Sequence, residues 1–257
     1  AQEGRRAEQH GGTDRVRRRR EESLNTQPRH YMERAVLETE AYRKYEGTVS
    51  VPELRALTLR HFFEHKSISI HRGELIVGEK GDGPQSAPTF PELCCHTIED
   101  MKIMDQRELI RFAVSEDDLR IQEETIIPYW ENRSIRHRIL ASMSDEWKAA
   151  YECGIFTEFM EQRGPGHTVG SNKIYTKGLL DYQEDIRRAM DALDFVHDKD
   201  ALHRKEELSA MRIACEAVMI LGRRYEAPAR EMAAAETDPQ WKADLLTIAE
   251  NCAVVPA

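Results

Sequence analysis

The segment HRKEELSAMRIACEAVMILGRRYE, residues 203–226, reads as one long amphipathic helix and sets the class of the whole chain. Leu208, Met211, Cys215, Val218, Met219 and Tyr225 fall at helical spacing, which makes one apolar stripe. The same template fits 181–195 through Ile186, Met190 and Leu193, and 239–252 through Trp241, Leu245, Leu246 and Ile248. Toward the start, 28–46 repeats it with Met32, Ala35, Val36, Leu37 and Tyr42 before Gly47 ends the helix. Pro52 opens the next helix, with Leu54, Leu57, Phe62 and Phe63 on one face. From 97 to 150 the pattern stays helical, with breaks at Ser115, Pro128 and Ser144. Ser144 caps a helix bearing Trp147 and Tyr151, and Asp145 and Glu146 occupy its first turn. The best strand candidate is 74–79, ELIVGE. Residues 81–91, GDGPQSAPTFP, read as a loop. The expected fold class is therefore mainly α with minor β.

Composition narrows the function classes. The chain has 257 residues, 40% hydrophobic and 32% charged, with a net charge of −9. Such a chain builds a sizeable core. Its longest apolar stretch, Ala217–Leu221, falls far short of the roughly 18 residues of a membrane span. No membrane partner is expected. Net acidity argues against nucleic acid, although residues 1–20 carry seven basic and three acidic side chains. Residues 1–22 read as a flexible basic tail and 23–257 as one structural unit. The start shows no apolar leader core, and Cys94, Cys95, Cys153, Cys215 and Cys252 form an odd set. A reducing cytoplasm is the expected location. The missing initiator Met and the apolar end, Ala253-Val254-Val255-Pro256-Ala257, read as an excerpt of a longer protein.

The chemistry-bearing motifs are few. Cys94-Cys95-His96 lacks a second pair at zinc spacing, so packing is expected there and no metal. Gly78–Gly83 has neither the P-loop spacing nor the three-glycine dinucleotide fingerprint, and reads as a turn. Glu158, Glu161 and Arg163 suit a surface charge network or acid–base work. Residues 154–178, GIFTEFMEQRGPGHTVGSNKIYTKG, follow no clean period and hold five glycines. In Arg163-Gly164-Pro165-Gly166-His167-Thr168 the glycines let backbone approach a ligand, and the proline fixes direction. Histidine is the side chain whose unperturbed pKa lies near neutrality, so His167 can serve a substrate oxygen. A loop histidine can equally be structural.

Several stretches together resemble one family. They are ERAVLETEAYRKYEG (33–47), GELIVGEKGDGPQSAPTFPE (73–92), CCHTIEDM (94–101), TEFMEQRGPGHT (157–168) and ILGRRY with LLTIAENCAVVPA (220–257). All are similar to the N-terminal third of the glycyl radical enzymes, the pyruvate formate-lyase-like proteins. The motif around His167 is similar to that of the dehydratase branch. The resemblance implies a ten-stranded α/β barrel wrapped by helices, of which this chain is the helical N-terminal portion. It implies a thiyl cysteine with a neighbouring Glu, and a radical-bearing glycine, all outside this chain. It implies an S-adenosylmethionine-dependent activase as partner, a small-molecule substrate and a homodimer. The implied reaction is radical dehydration of a hydroxylated proline ring, with Phe159 packing against the ring and His167 serving the leaving hydroxyl. Alternatives are a diol dehydratase, a lyase cleaving the C–S bond of a hydroxyalkyl sulfonate, and a stand-alone helical interaction module. The chain alone is expected to be mostly helical, poor in strands and inactive.

Overall fold

The computed structural model describes residues 14–79, 81–155 and 171–257. Helix α1 spans Asp14–Asn25, strand β1 Arg29–Tyr31, α2 Glu33–Tyr45, α3 Val51–His65 and β2 Ser86–Pro88. Next come α4 Ile98–Gln106, α5 Glu116–Ile121, a π-helical turn Gln122–Ile126, α6 Ile127–Trp130, α7 Ile135–Ser142 and α8 Asp145–Glu152. After a 3₁₀ turn at Ser171–Tyr175 the chain closes with α9 Leu179–Asp191, α10 Ala201–Ala235 and α11 Pro239–Val254. The expected class holds: mostly helix, with one short parallel ladder. None of the described helices is long and apolar enough to cross a membrane.

Local chemistry explains most helix starts. Thr97 and Ser115 each accept from the backbone N–H three residues on, and Asp100 and Asp118 return the bond to the cap. Ser50, Ser134, Ser144 and Asp238 cap α3, α7, α8 and α11 through their side chains.

Six expectations need correction, and contact with residues far away in sequence is the cause in the first four. The helix read from residue 28 begins at Glu33, because Arg29–Tyr31 is drawn into a ladder. Arg29 pairs with Ser86, His30 with Ala87 and Tyr31 with Pro88. The His30 amide also donates to the Ala113 carbonyl at 2.9 Å. The partner strand lies inside the stretch expected as loop. Conversely, the strand expected at 74–79 is absent from its described residues. The Glu74 amide closes a turn onto the His71 carbonyl at 3.1 Å, and its carboxylate accepts from the His71 amide and from Arg19. No described strand pairs with it, and Ile76 stands 88% exposed; an extended segment without pairing leaves its amides unmet.

The segment read as a tail is helical from Asp14. Arg15 and Arg19, one turn apart, face inward: Arg15 bonds Asp244 on α11 at 2.6 Å, and Arg19 bonds Glu74 at 2.9 Å. Arg17, Arg18 and Arg20 remain on the exposed side. Pro128 misled the reading as well. Pro128 does not break the chain, because the widened turn before it relieves the clash between its ring and the preceding carbonyls. The helix expected to end at residue 226 runs on through Pro228 to Ala235.

Packing is tightest where side chains are small. α3 lies along α10 with Ala56, Ala210 and Ile213 between them. α10 and α11 share Ala229, Ala233, Trp241, Leu245, Ile248 and Ala249. Near the end of that pair the backbones themselves meet. A Cβ at Gly222 would sit 2.6 Å from the Cys252 carbonyl oxygen and 2.7 Å from Pro256. Gly222→Ala therefore forces the two helices apart. It is expected to destabilise the chain by about 1–3 kcal/mol, the usual range for overpacking. Urea unfolding checks this, and a midpoint equal to wild type would contradict the close approach.

Candidate functional site

A third core cluster builds the frame of the site. Met32, Ala35, Met101, Ile126 and Trp130 join the α2 region to α4 and the π turn. Trp130 donates its indole N–H to Thr39 Oγ1 at 2.8 Å, and Thr39 donates to the Ala35 carbonyl at 2.7 Å. This relay satisfies two buried polar groups inside an apolar cluster. Arg34 on α2 then clamps the segment after β2. Its guanidinium contacts both carboxylate oxygens of Glu92 at 2.6 and 3.1 Å, the Thr89 carbonyl at 3.1 Å, and Glu38 at 3.2 Å. It also lies 4.0 Å from the Phe90 ring centroid.

Held this way, residues 87–97 form one wall of a cleft of about 870 Å³. α4 and Phe112 form the other wall, and Arg136 of α7 closes one side. His30 lies in its lining, 5% exposed, edge-on to Phe112, and its Nδ1 has no hydrogen-bond partner among the described residues. Gln122 donates to the His96 carbonyl at 2.6 Å and reaches Cys95 Sγ at 3.8 Å. Burial holds the His30 and His96 imidazoles below their ordinary range, and His30 is lowered further by His96. Burial pushes the Cys95 thiol up to about 12, with Cys94 adding to the rise. Neutral imidazoles beside a protonated thiol are the opposite of a thiolate–imidazolium pair. Among the described residues no three His, Cys, Asp or Glu side chains converge as metal ligands.

Glu38, paired with Arg34, gives the stability of the clamp a pH dependence. Burial and the neighbouring Glu92 push its carboxyl up to about 7, against the lowering by Arg34 and Arg55. Its pKa is then higher folded than unfolded, so the folded state holds the extra proton. Stability is greatest below about pH 4.5 as far as this group is concerned, and it is lost as pH rises through 7. The loss is roughly 3 kcal/mol at 1.4 kcal/mol per decade. Glu38→Gln is expected to be more stable than wild type at pH 8 and to lose that advantage near pH 4. A pH-independent difference between the two unfolding curves would contradict this.

The sequence-predicted site residues Phe159 and His167 lie outside the described residues, as do Glu158, Glu161 and Arg163. The structure describes what flanks them: α8 on one side and the turn at Ser171–Tyr175 on the other. Sequence reasoning missed His30 and Arg136. His30 carried no signal, because the ladder and Phe112, both set by residues far away in sequence, surround it. Arg136 had one: two residues after the helix cap Ser134, it had to sit in a fixed first turn.

The class of protein follows from this frame and its likenesses. Residues 9–257 match the Pyruvate formate lyase-like family, and the chain belongs to that family of glycyl radical enzymes. Over 247 residues it is 55% identical to trans-4-hydroxy-L-proline dehydratase of Clostridioides difficile, covering 96% of this chain and 31% of that protein. It is 31% identical over 241 residues to isethionate sulfite-lyase of Oleidesulfovibrio alaskensis, covering 89% of this chain and 29% of that one. The crystal structure of the C. difficile hydroxyproline dehydratase with trans-4-hydroxy-L-proline bound superposes with a TM-score of 0.90 over 96% of this chain and 31% of that chain. The chain thus spans under a third of the length of these relatives.

Proposed function

We propose that this chain is part of a glycyl radical dehydratase that removes water from trans-4-hydroxy-L-proline and yields pyrroline-5-carboxylate. The 55% identity to the C. difficile dehydratase carries the reading. The radical, on a glycine outside this chain, supplies homolytic cleavage of a C–H bond that acid–base side chains cannot break. A hydrogen atom is taken from the ring carbon beside nitrogen, the C4 hydroxyl departs as water while the ring nitrogen gives up its proton to form the C=N bond, and the hydrogen atom is returned to C4, which restores the radical. Phe159 packs flat against the substrate ring. His167 hydrogen-bonds the C4 hydroxyl and delivers the proton with which it leaves. The thiyl cysteine and its neighbouring Glu also lie outside this chain, and no metal held by this chain takes part. An S-adenosylmethionine-dependent activase installs the radical, the full-length protein is a cytoplasmic homodimer, and residues 23–257 belong to its radical-enzyme domain.

The test uses the full-length protein, co-expressed anaerobically with an activase. Electron paramagnetic resonance counts the radical, and the product assay detects pyrroline-5-carboxylate. Turnover of trans-4-hydroxy-L-proline supports the reading. Radical without turnover keeps the family and discards the substrate, and isethionate and glycerol then separate the lyase from the diol dehydratase.

A further inference from the structure

We propose that the loop tip Leu109-Ile110 is a docking knob, which seats in an apolar socket on the part of the full-length protein that lies outside this chain. The proposal rests on the chain being part of a longer protein and not on the substrate assigned above. Two apolar side chains stand at the tip, Leu109 82% exposed and Ile110 77%. Apolar residues exposed singly are ordinary, but these two are adjacent and one is strained. Ile110 has φ +55°. In that left-handed region a branched side chain crowds the backbone, and glycine or asparagine is the usual occupant. Strain of this kind persists only where the surrounding structure holds it, and it gathers where the chain meets something.

Looseness does not account for the exposure, because the stem of the loop is pinned. The Phe112 amide donates to the Met104 carbonyl at 3.2 Å, and the Ala113 amide to the Pro28 carbonyl at 2.7 Å. Asp105 accepts from the Arg111 guanidinium at 3.0 Å and from the Val114 amide at 3.2 Å. Gln27 donates to the Arg111 carbonyl at 3.0 Å. Leu109 and Ile110 make none of these bonds. Arg107 and Glu108 before the tip and Arg111 after it are exposed, so an apolar centre carries a charged rim, the anatomy of a protein interface. A projecting tip fits a socket in polypeptide and not a small molecule. The source of that polypeptide is set by length. This chain superposes over 96% of itself on 31% of the hydroxyproline dehydratase, so more than two thirds of such a protein must pack against faces that this fold leaves open.

The experiment uses the full-length protein with Leu109→Cys. A maleimide reagent labels the thiols, and peptide mass analysis reads position 109. Labelling there is expected to be about a hundredfold slower in the folded protein than in the same protein unfolded in urea, as for a site exposed only by local opening. A second variant, Ile110→Gly, gives a test of sign. Glycine relieves the backbone, so a tip that touches nothing gains stability from it. A seated tip loses its contact, and the unfolding temperature is expected to fall. Labelling at the unfolded rate, or an unfolding temperature that rises or stays, overturns the proposal. Protection lost on dilution to monomer assigns the tip to a second copy of the chain, and protection that needs added activase assigns it to the activase; either overturns the proposal. No readout uses turnover, so the substrate reading and the docking role fail separately.

Discussion

Full-length protein carrying His167→Ala, activated to wild-type radical content, is expected to dehydrate trans-4-hydroxy-L-proline at least a hundredfold more slowly. The reasoning is chemical. Hydroxide is a poor leaving group, so loss of the C4 hydroxyl needs a proton delivered as the C–O bond breaks. A positioned general acid contributes about 10²–10⁴-fold to such a step, and an imidazole has the pKa to do it near neutrality. The loss should fall on kcat, because the proton is needed in the transition state and not for binding. Phe159→Ala should behave differently, raising KM while retaining more of kcat, since ring packing serves ground and transition states alike. Electron paramagnetic resonance on the same samples separates lost chemistry from lost activation. A His167→Ala protein with wild-type radical and kcat within about threefold of wild type would remove His167 from the reaction.

Arg34→Met is expected to cost about 3–5 kcal/mol of stability, the range for removing one partner of a buried ion pair. The magnitude follows from what is left behind. Arg34 and its partners Glu38 and Glu92 have side chains only 12%, 10% and 18% exposed. Methionine fills part of the volume but leaves the Glu92 carboxylate and the Thr89 carbonyl without the guanidinium. It also removes the contact with the Phe90 ring. Against a total stability of about 5–15 kcal/mol the loss is large. Adding Glu92→Gln should recover part of it, because the stranded charge goes with the substitution. Urea unfolding of the chain gives both numbers. A cost below about 1 kcal/mol would mean that the clamp is solvated and Phe90 is held by packing alone. Because Thr89 and Phe90 line the cleft, the same substitution should loosen the wall onto which α7 is stitched.

How much was legible in the sequence divides along a physical line. Features set within one helical turn were readable. Ser115 and Ser144 announced helix starts because a cap and its amide partner lie three residues apart. The helical spacing from Leu208 to Tyr225 announced α10, but not the face it buries: Ala210, Ile213, Ala217 and Gly222 are buried with Tyr225, while Met211 and Val218 stand exposed. The family likeness was readable too, since it rests on stretches distributed along the chain. Features set by partners far away in sequence were not. Residues 74–79 have the composition of a strand, yet Arg19 and His71 fold Glu74 into a turn. Residues 29–31 have the composition of a helix start, yet Ser86–Pro88 and Ala113 claim their backbone. The basic run at 15–20 looked solvated until Asp244 and Glu74 took Arg15 and Arg19.

From the sequence alone came the helical class, the Ser144 cap and the family, and Phe159 and His167 were singled out there as residues to test. Each is carried by residue identity at short range or by likeness along the chain. Only the three-dimensional fold could bury His30, raise the Glu38 carboxyl, press Gly222 against the Cys252 carbonyl, or bring Arg15 onto Asp244. Burial, desolvation and long-range hydrogen bonding depend on which distant residues come to occupy the same space, and no local pattern records that.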